Sequence, residues 1–332
     1  GIGLTAADRD TWATERQRLL NPSTPSHAAN FAAIESALST VCLDDHVDPR
    51  TAISAERAKD HDFHNGDARN RWMDKLMEVV ALSNGRTGMT GEHAVLDGMA
   101  IATLLHAVPA RTYEGPRLAP PRLLKWNVGA TTAIAIQEVK TQTRRMTERL
   151  DTSQLVFTDH GARWLQVVNL DPETFVQLAL QLAYYRLHKR PSPTYASFNG
   201  CNYLHDRELV FRSYSNESAK FTQAILDPAV LPSTKFQAMT SVIANHRRIL
   251  NRAIRTHGID NHLLGLRAMV RTPEERARSS LFNHPAFTAS AEFITVSFGN
   301  WRGRGLDSST FRLQDILVRS FHEMREIVKA QP

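Results

Sequence analysis

The chain is 332 residues long, 42% hydrophobic and 22% charged, a composition that supports a packed core and excludes wholesale disorder. Its formal net charge of +6 is scattered among 34 acidic residues, with no basic tract and no zinc-finger or basic-region spacing, which argues against a nucleic-acid partner. Two cysteines, Cys42 and Cys201, are too few for a disulfide framework, and no apolar run reaches the roughly 20 residues a membrane helix needs.

In chain order, residues His27 to Val41 space their apolar side chains as a helix does, and Leu76 to Leu82 reads as a short apolar strand. That strand enters a glycine-rich stretch, Gly85 to Gly98, and strand-to-loop junctions are where chemistry concentrates. Pro109, Pro116, Pro120 and Pro121 then break any regular element between Val108 and Pro121, which sets a boundary between a first part, 1–128, and a second, 129–332. Long helical patterns follow at Thr131 to Leu150, Pro172 to Leu187, Lys235 to Arg255 and Phe311 to Val328, with strands expected at Val210 to Ser213 and Phe293 to Phe298. The expected fold class is α/β in two unequal parts.

The segment Thr87 to Gly98 places His93 among glycines, with Asp97 four residues on. A carboxylate that accepts from one ring nitrogen fixes the tautomer and leaves the other nitrogen free to take a proton from an alcohol. Taken alone, the pair favours a buried, satisfied histidine with glycines that only turn the chain. Other histidines, including His106, His160, His205, His262 and His284, have no partner at metal-ligand spacing, so no metal is expected. Gly85 and Gly88 lack the Lys-Ser/Thr of a phosphate loop. Cys201 has no neighbouring base and reads as a small buried thiol.

Glu92-His93-x-x-x-Asp97-Gly98, preceded by Asn84-Gly85 and Gly88, resembles the catalytic-histidine motif of the choline/carnitine O-acyltransferase family. Asn70 to Lys75, the helix from Pro172 to Arg186, Thr194-Tyr195, Phe211-Arg212-Ser213 and Asp260 to Leu266 resemble further landmarks in the family's order. The resemblance begins near Arg9 and covers only the later part of the family's chain, so much of an N-terminal domain is expected to be missing. It implies two domains of chloramphenicol-acetyltransferase-like topology enclosing a tunnel, with the histidine midway, the thioester entering at one end and the alcohol at the other. It also implies His93 as general base, Asp97 as its orienting partner and no tightly bound cofactor.

The departures from the family pattern bear on substrates. By alignment Tyr195 keeps one of the acceptor-holding residues of the carnitine-using members, Glu208 stands in place of a Thr, and Asn261 in place of an Arg. Exchanging a cation for an amide and adding a carboxylate disfavours an acceptor that carries a carboxylate. A neutral or cationic alcohol is expected. The lysines that meet coenzyme A phosphates in the family are absent from Gly161 to Gln166, where Arg163 alone offers charge. That loss points to a phosphopantetheine thioester on an acyl carrier protein, or else acyl-coenzyme A bound with fewer ion pairs. In this respect the chain resembles the acyltransferase release domains of fungal highly reducing polyketide synthases. Where the family has Ser-Thr-Ser, this chain reads Val296-Ser297-Phe298, leaving Ser297 as the candidate oxyanion donor and Phe298 as a pocket residue. The expected activity is acyl transfer from a carrier-protein thioester to a small alcohol. The rivals are a choline- or carnitine-type enzyme using acyl-coenzyme A, and an inactive relative kept as a scaffold. Asp8 in the opening segment argues against a secretory signal, and the ending Lys329 to Pro332 is not a peroxisomal address, so a cytoplasmic location is expected.

Overall fold

The computed structural model describes residues 3–45, 70–83, 85, 87–94, 103, 115, 119–148, 154–155, 157–191, 193–198, 209–255, 257–291, 295–297, 306–307 and 311–331. The chain is a mixed α/β structure, rich in helix, that falls into two compact units, Gly1–Thr152 and Ser153–Pro332.

In the first unit, α1 (Arg9–Leu19) starts where the Asp8 side chain accepts from Thr11 N, and α2 (Pro25–Glu35) starts on a proline whose missing N–H costs nothing there. The two helices are tied by a forked Arg16–Glu35 pair at 2.8 and 3.0 Å. Their shared core holds Trp12, Leu19, Phe31 and Trp72, with Trp12 and Trp72 meeting edge to face. Buried His27 accepts from Asn127 N at Nε2 (2.8 Å), which leaves Nδ1 to donate to the Leu19 carbonyl (2.8 Å). α3 (Ala130–Glu148) closes this core with Ala135 and Val139, so the helix that sequence alone assigned to the second part packs with the first.

The helical pattern expected through Val41 ends at Glu35, and Thr40–Asp44 is a strand, β1. It pairs in parallel with β2 (Glu78–Leu82), which pairs antiparallel with β3 (Thr87–Thr90), a strand unforeseen in the glycine-rich stretch. In β2, buried and half-buried positions alternate strictly. That period of two puts Glu78, Val80 and Leu82 on one buried face.

The second unit is built on α5 (Pro172–His188), preceded by the short α4 (Ala162–Val167). Asp171 caps α5 by accepting from Thr174 N at 2.8 Å, and Pro172 occupies its first turn. Phe175, Leu178, Ala179, Leu182 and Ala183 bury the helix among α6 (Asn216–Leu226), α7 (Pro232–Ile254) and α11 (Phe311–Lys329). Beside the bundle lies a three-stranded sheet in the order β6–β5–β7, from β5 (Thr194–Phe198), β6 (Leu209–Arg212) and β7 (Thr295–Ser297). β5 is antiparallel to β6 and parallel to β7. A two-stranded ladder joins β4 (Gln154–Leu155) to β8 (Leu306–Asp307). α8 (Ile259–Met269), α9 (Pro273–Arg278) and α10 (Pro285–Ala291) lead from α7 to β7. The expected helices over 172–187, 235–255 and 311–328 and the strand over 210–213 agree with these elements to within a few residues.

Candidate active site

His93 lies three residues beyond β3, in a turn held by one backbone bond and one side-chain bond. Glu92 N donates to the Lys75 carbonyl at 3.2 Å, and the Glu92 side chain turns back to accept from Ala94 N at 2.9 Å. Lys75 is itself anchored. Its Nζ donates to the carbonyls of Ala37 (2.6 Å) and Glu35 (3.2 Å) at the end of α2, where unpaired carbonyls favour a cation. His93 is exposed.

Behind the turn sits Glu78, buried to 1% exposure. Its carboxylate accepts from Trp72 N (2.5 Å), Thr40 Oγ1 (3.0 Å) and Thr90 Oγ1 (3.3 Å), binding β1, β3 and the Asn70–Lys75 segment to one point. Cys42 lies against the same carboxylate at 3.6 Å. Burial first, and then that negative charge, pushes its thiol up to about 11, so Cys42 stays protonated and inert. Arg71, whose side chain is wholly buried, forks onto Asp44 at 2.8 and 3.2 Å. Sequence reasoning missed Glu78 and Lys75. A carboxylate in phase with Val80 and Leu82 in an alternating strand was the available signal.

In the second unit, Tyr195 is half-buried on β5, opposite Arg212 of β6 and in register with Val296 of β7. Ser297 stands one residue on, in register with Ala196. Asn261 is half-buried in the first turn of α8, next to Asp260, which is ion-paired with Arg212. Tyr195 on β5 and, through the Asp260–Arg212 pair, the start of α8 with Asn261 are therefore both tied to β6, while Ser297 is in register with Ala196 rather than with Tyr195. The opposite face of the sheet carries buried Thr194, Ala196, Phe211 and Ser213. There a polar chain crosses the core: His246 Nε2 donates to the Ser213 carbonyl at 2.7 Å, and its Nδ1 lies 3.3 Å from Thr174 Oγ1, which donates to Asp171 at 2.6 Å.

Arg163 is exposed on α4, which docks through Leu165 and Trp164. Asp97, Glu208, Phe298 and Cys201 lie outside the described residues. Among the described residues no cluster suited to a metal occurs, and no helix is long and apolar enough to cross a membrane.

Residues 2–299 match the model of the Choline/Carnitine o-acyltransferase family. The chain is 31% identical over 278 residues to carnitine O-acetyltransferase of Rattus norvegicus, covering 80% of this chain and 44% of that protein. It is 30% identical over 302 residues to peroxisomal carnitine O-octanoyltransferase of Bos taurus, covering 86% of this chain and 48% of the relative. The human carnitine O-acetyltransferase matches over the same share as the rat protein, 80% of this chain and 44% of its own length. The chain thus spans less than half the length of these curated relatives. Agreement over nearly its whole extent, with the histidine turn and the Tyr195 sheet inside the matched region, means that the chain belongs to the choline/carnitine O-acyltransferase family.

Proposed function

We propose that this chain carries the general base and the acceptor-side pocket of an O-acyltransferase that moves an acyl group from the thioester of acyl-coenzyme A to a small alcohol. The carrying observation is an exposed His93 on a turn held by buried groups, within a chain of this family. A ring nitrogen of His93 takes the hydroxyl proton as the alcohol oxygen attacks the thioester carbonyl. The tetrahedral intermediate then expels the thiolate, which recovers the proton from the imidazolium, leaving an ester and a free thiol. Asp97 orients the imidazole, and Ser297 supports the oxyanion. Tyr195, Glu208, Asn261 and Phe298 shape the acceptor pocket. Arg163 meets the donor. The finer fold we assign is chloramphenicol-acetyltransferase-like, in two domains.

The relatives are named for carnitine, whose carboxylate calls for a cation. With Asn261 on α8 where a cation would stand, and Glu208 adding a carboxylate, this chain suits an acceptor without a carboxylate, such as a polyol or choline. A second reading takes the acyl group from a carrier protein's phosphopantetheine arm, as in polyketide release. It is favoured by one feature, the single cation Arg163 between Gly161 and Gln166.

The test assays the full native protein and its His93→Ala variant with acyl-coenzyme A, acyl-pantetheine and acyl-carrier donors against glycerol, choline and carnitine. His93→Ala should lower kcat by about 10² to 10⁴. Turnover that ignores His93 would overturn the assignment, and a preference for carnitine would overturn the reading of Asn261.

A further inference from the structure

We infer that Arg212 is the positioning residue of the acceptor pocket, one guanidinium clamping three chain segments so that Tyr195 and Asn261 share a frame; this rests on the acyltransferase reading above. Arg212 and Tyr195 are directly opposed on antiparallel neighbours, so both side chains rise from the same face of the sheet. That face is half-buried, whereas the other is packed into the core.

From this face Arg212 Nε donates to Asp260 Oδ1 at 2.7 Å, with Nη2 2.6 Å from the same oxygen, and Nη1 donates to the Ser290 carbonyl at 2.6 Å. Asp260 precedes Asn261 in the first turn of α8, and Ser290 lies at the end of α10, just ahead of β7. The clamp therefore joins β6, the start of α8 and the approach to β7. Arg212 and Asp260 retain 33% and 15% side-chain exposure, sheltered enough for charge-assisted bonds to hold their geometry against salt. Lysine would keep the charge but not the fork, since its ammonium is a point charge on a flexible stem. Because Asp260 balances Arg212, the pair adds no net charge, and its part is geometric: it sets Asn261 against Tyr195 for a neutral hydroxylated acceptor.

The experiment measures steady-state kinetics of the full native protein, wild type, Arg212→Lys, Asp260→Asn and the double variant, with acetyl-coenzyme A and glycerol or choline, alongside thermal unfolding. Arg212→Lys should raise KM for the alcohol about tenfold or more, while donor KM and kcat stay within about threefold. Asp260→Asn should shift the same constant, and the double variant should cost less than the two single effects combined. If Arg212→Lys does not fold, Asp260→Asn, which preserves shape and an acceptor oxygen, reads the same split. Equal rises in both KM values, or a fall in kcat alone, would reduce Arg212 to a fold residue. If His93→Ala abolishes turnover while Arg212→Lys leaves alcohol KM unchanged, this inference alone falls. No turnover by the wild type would remove the acyltransferase reading and this inference with it.

Discussion

His160 shows how one side chain couples the fold to pH. Both of its ring nitrogens are buried without a hydrogen-bond partner among the described residues, and Phe157, Trp164, Phe175 and Phe321 surround the ring. Burial first, then the positive charge of Arg325 and the neighbouring His322, pushes its pKa down to about 4, against the opposing pull of Asp159. Because the folded value is depressed below the ordinary value of about 6.5, the unfolded chain binds the proton more readily, and the stability it carries is lost as pH falls from about 6.5 to about 4. Thermal midpoints between pH 7 and pH 4 should therefore fall less steeply for His160→Phe, which keeps the aromatic box, than for the wild type. Parallel curves would refute this. The same scale separates what sequence could and could not reveal: the His93 motif was legible through its resemblance to the family's pattern, whereas buried Glu78 was hidden because its partners Trp72, Thr40 and Thr90 are brought to it only by pairing of distant segments.

At the scale of elements, the long helices and the strands β2, β6 and β7 were legible, whereas β1 and β3 were not. α5 announces itself by Asp171, Pro172 and a long apolar face, local signals that need no partner. β1 has no such signal. Of its residues Val41 and Leu43 are 66% and 74% exposed, and the strand exists because Cys42 packs under β2 through a ladder to residues 38 positions later. α5 also ends on a strained residue. Lys189 is its C-cap in the left-handed region, at φ 56°, where an L side chain costs about 1 kcal/mol that glycine does not incur. Lys189→Gly should therefore stabilise the protein by about 1 kcal/mol in denaturant unfolding, with no loss of activity; a destabilised variant would mean that the lysine stem contributes more than its backbone costs. The buried chain from Asp171 through Thr174 and His246 to Ser213 belongs to this scale as well. It ties the start of α5 to the end of β6, and burial holds His246 below its ordinary pKa despite the Ser213 carbonyl and the charges of Asp171 and Glu217.

For the whole molecule, the decisive charge is local rather than net. A surplus of +6 does not make a coenzyme A site; cations placed at the phosphates do. Arg163 is exposed on α4, so Arg163→Ala should raise KM for acyl-coenzyme A by about tenfold and leave acyl-pantetheine, which lacks the nucleotide phosphates, almost unchanged. Equal effects on the two donors would argue that Arg163 meets the pantetheine arm or nothing at all. By itself the sequence determined the family, the α/β class, the long helices and the histidine motif, because these are written in local motifs and in periodicity along the chain. Only the tertiary structure decided that α3 packs with the first unit, that Glu78 and Lys75 hold the histidine turn, and that Arg212 reaches Asp260 and Ser290. Each of those contacts joins residues far apart in the chain, and a single sequence carries no record of which distant partners packing will bring together.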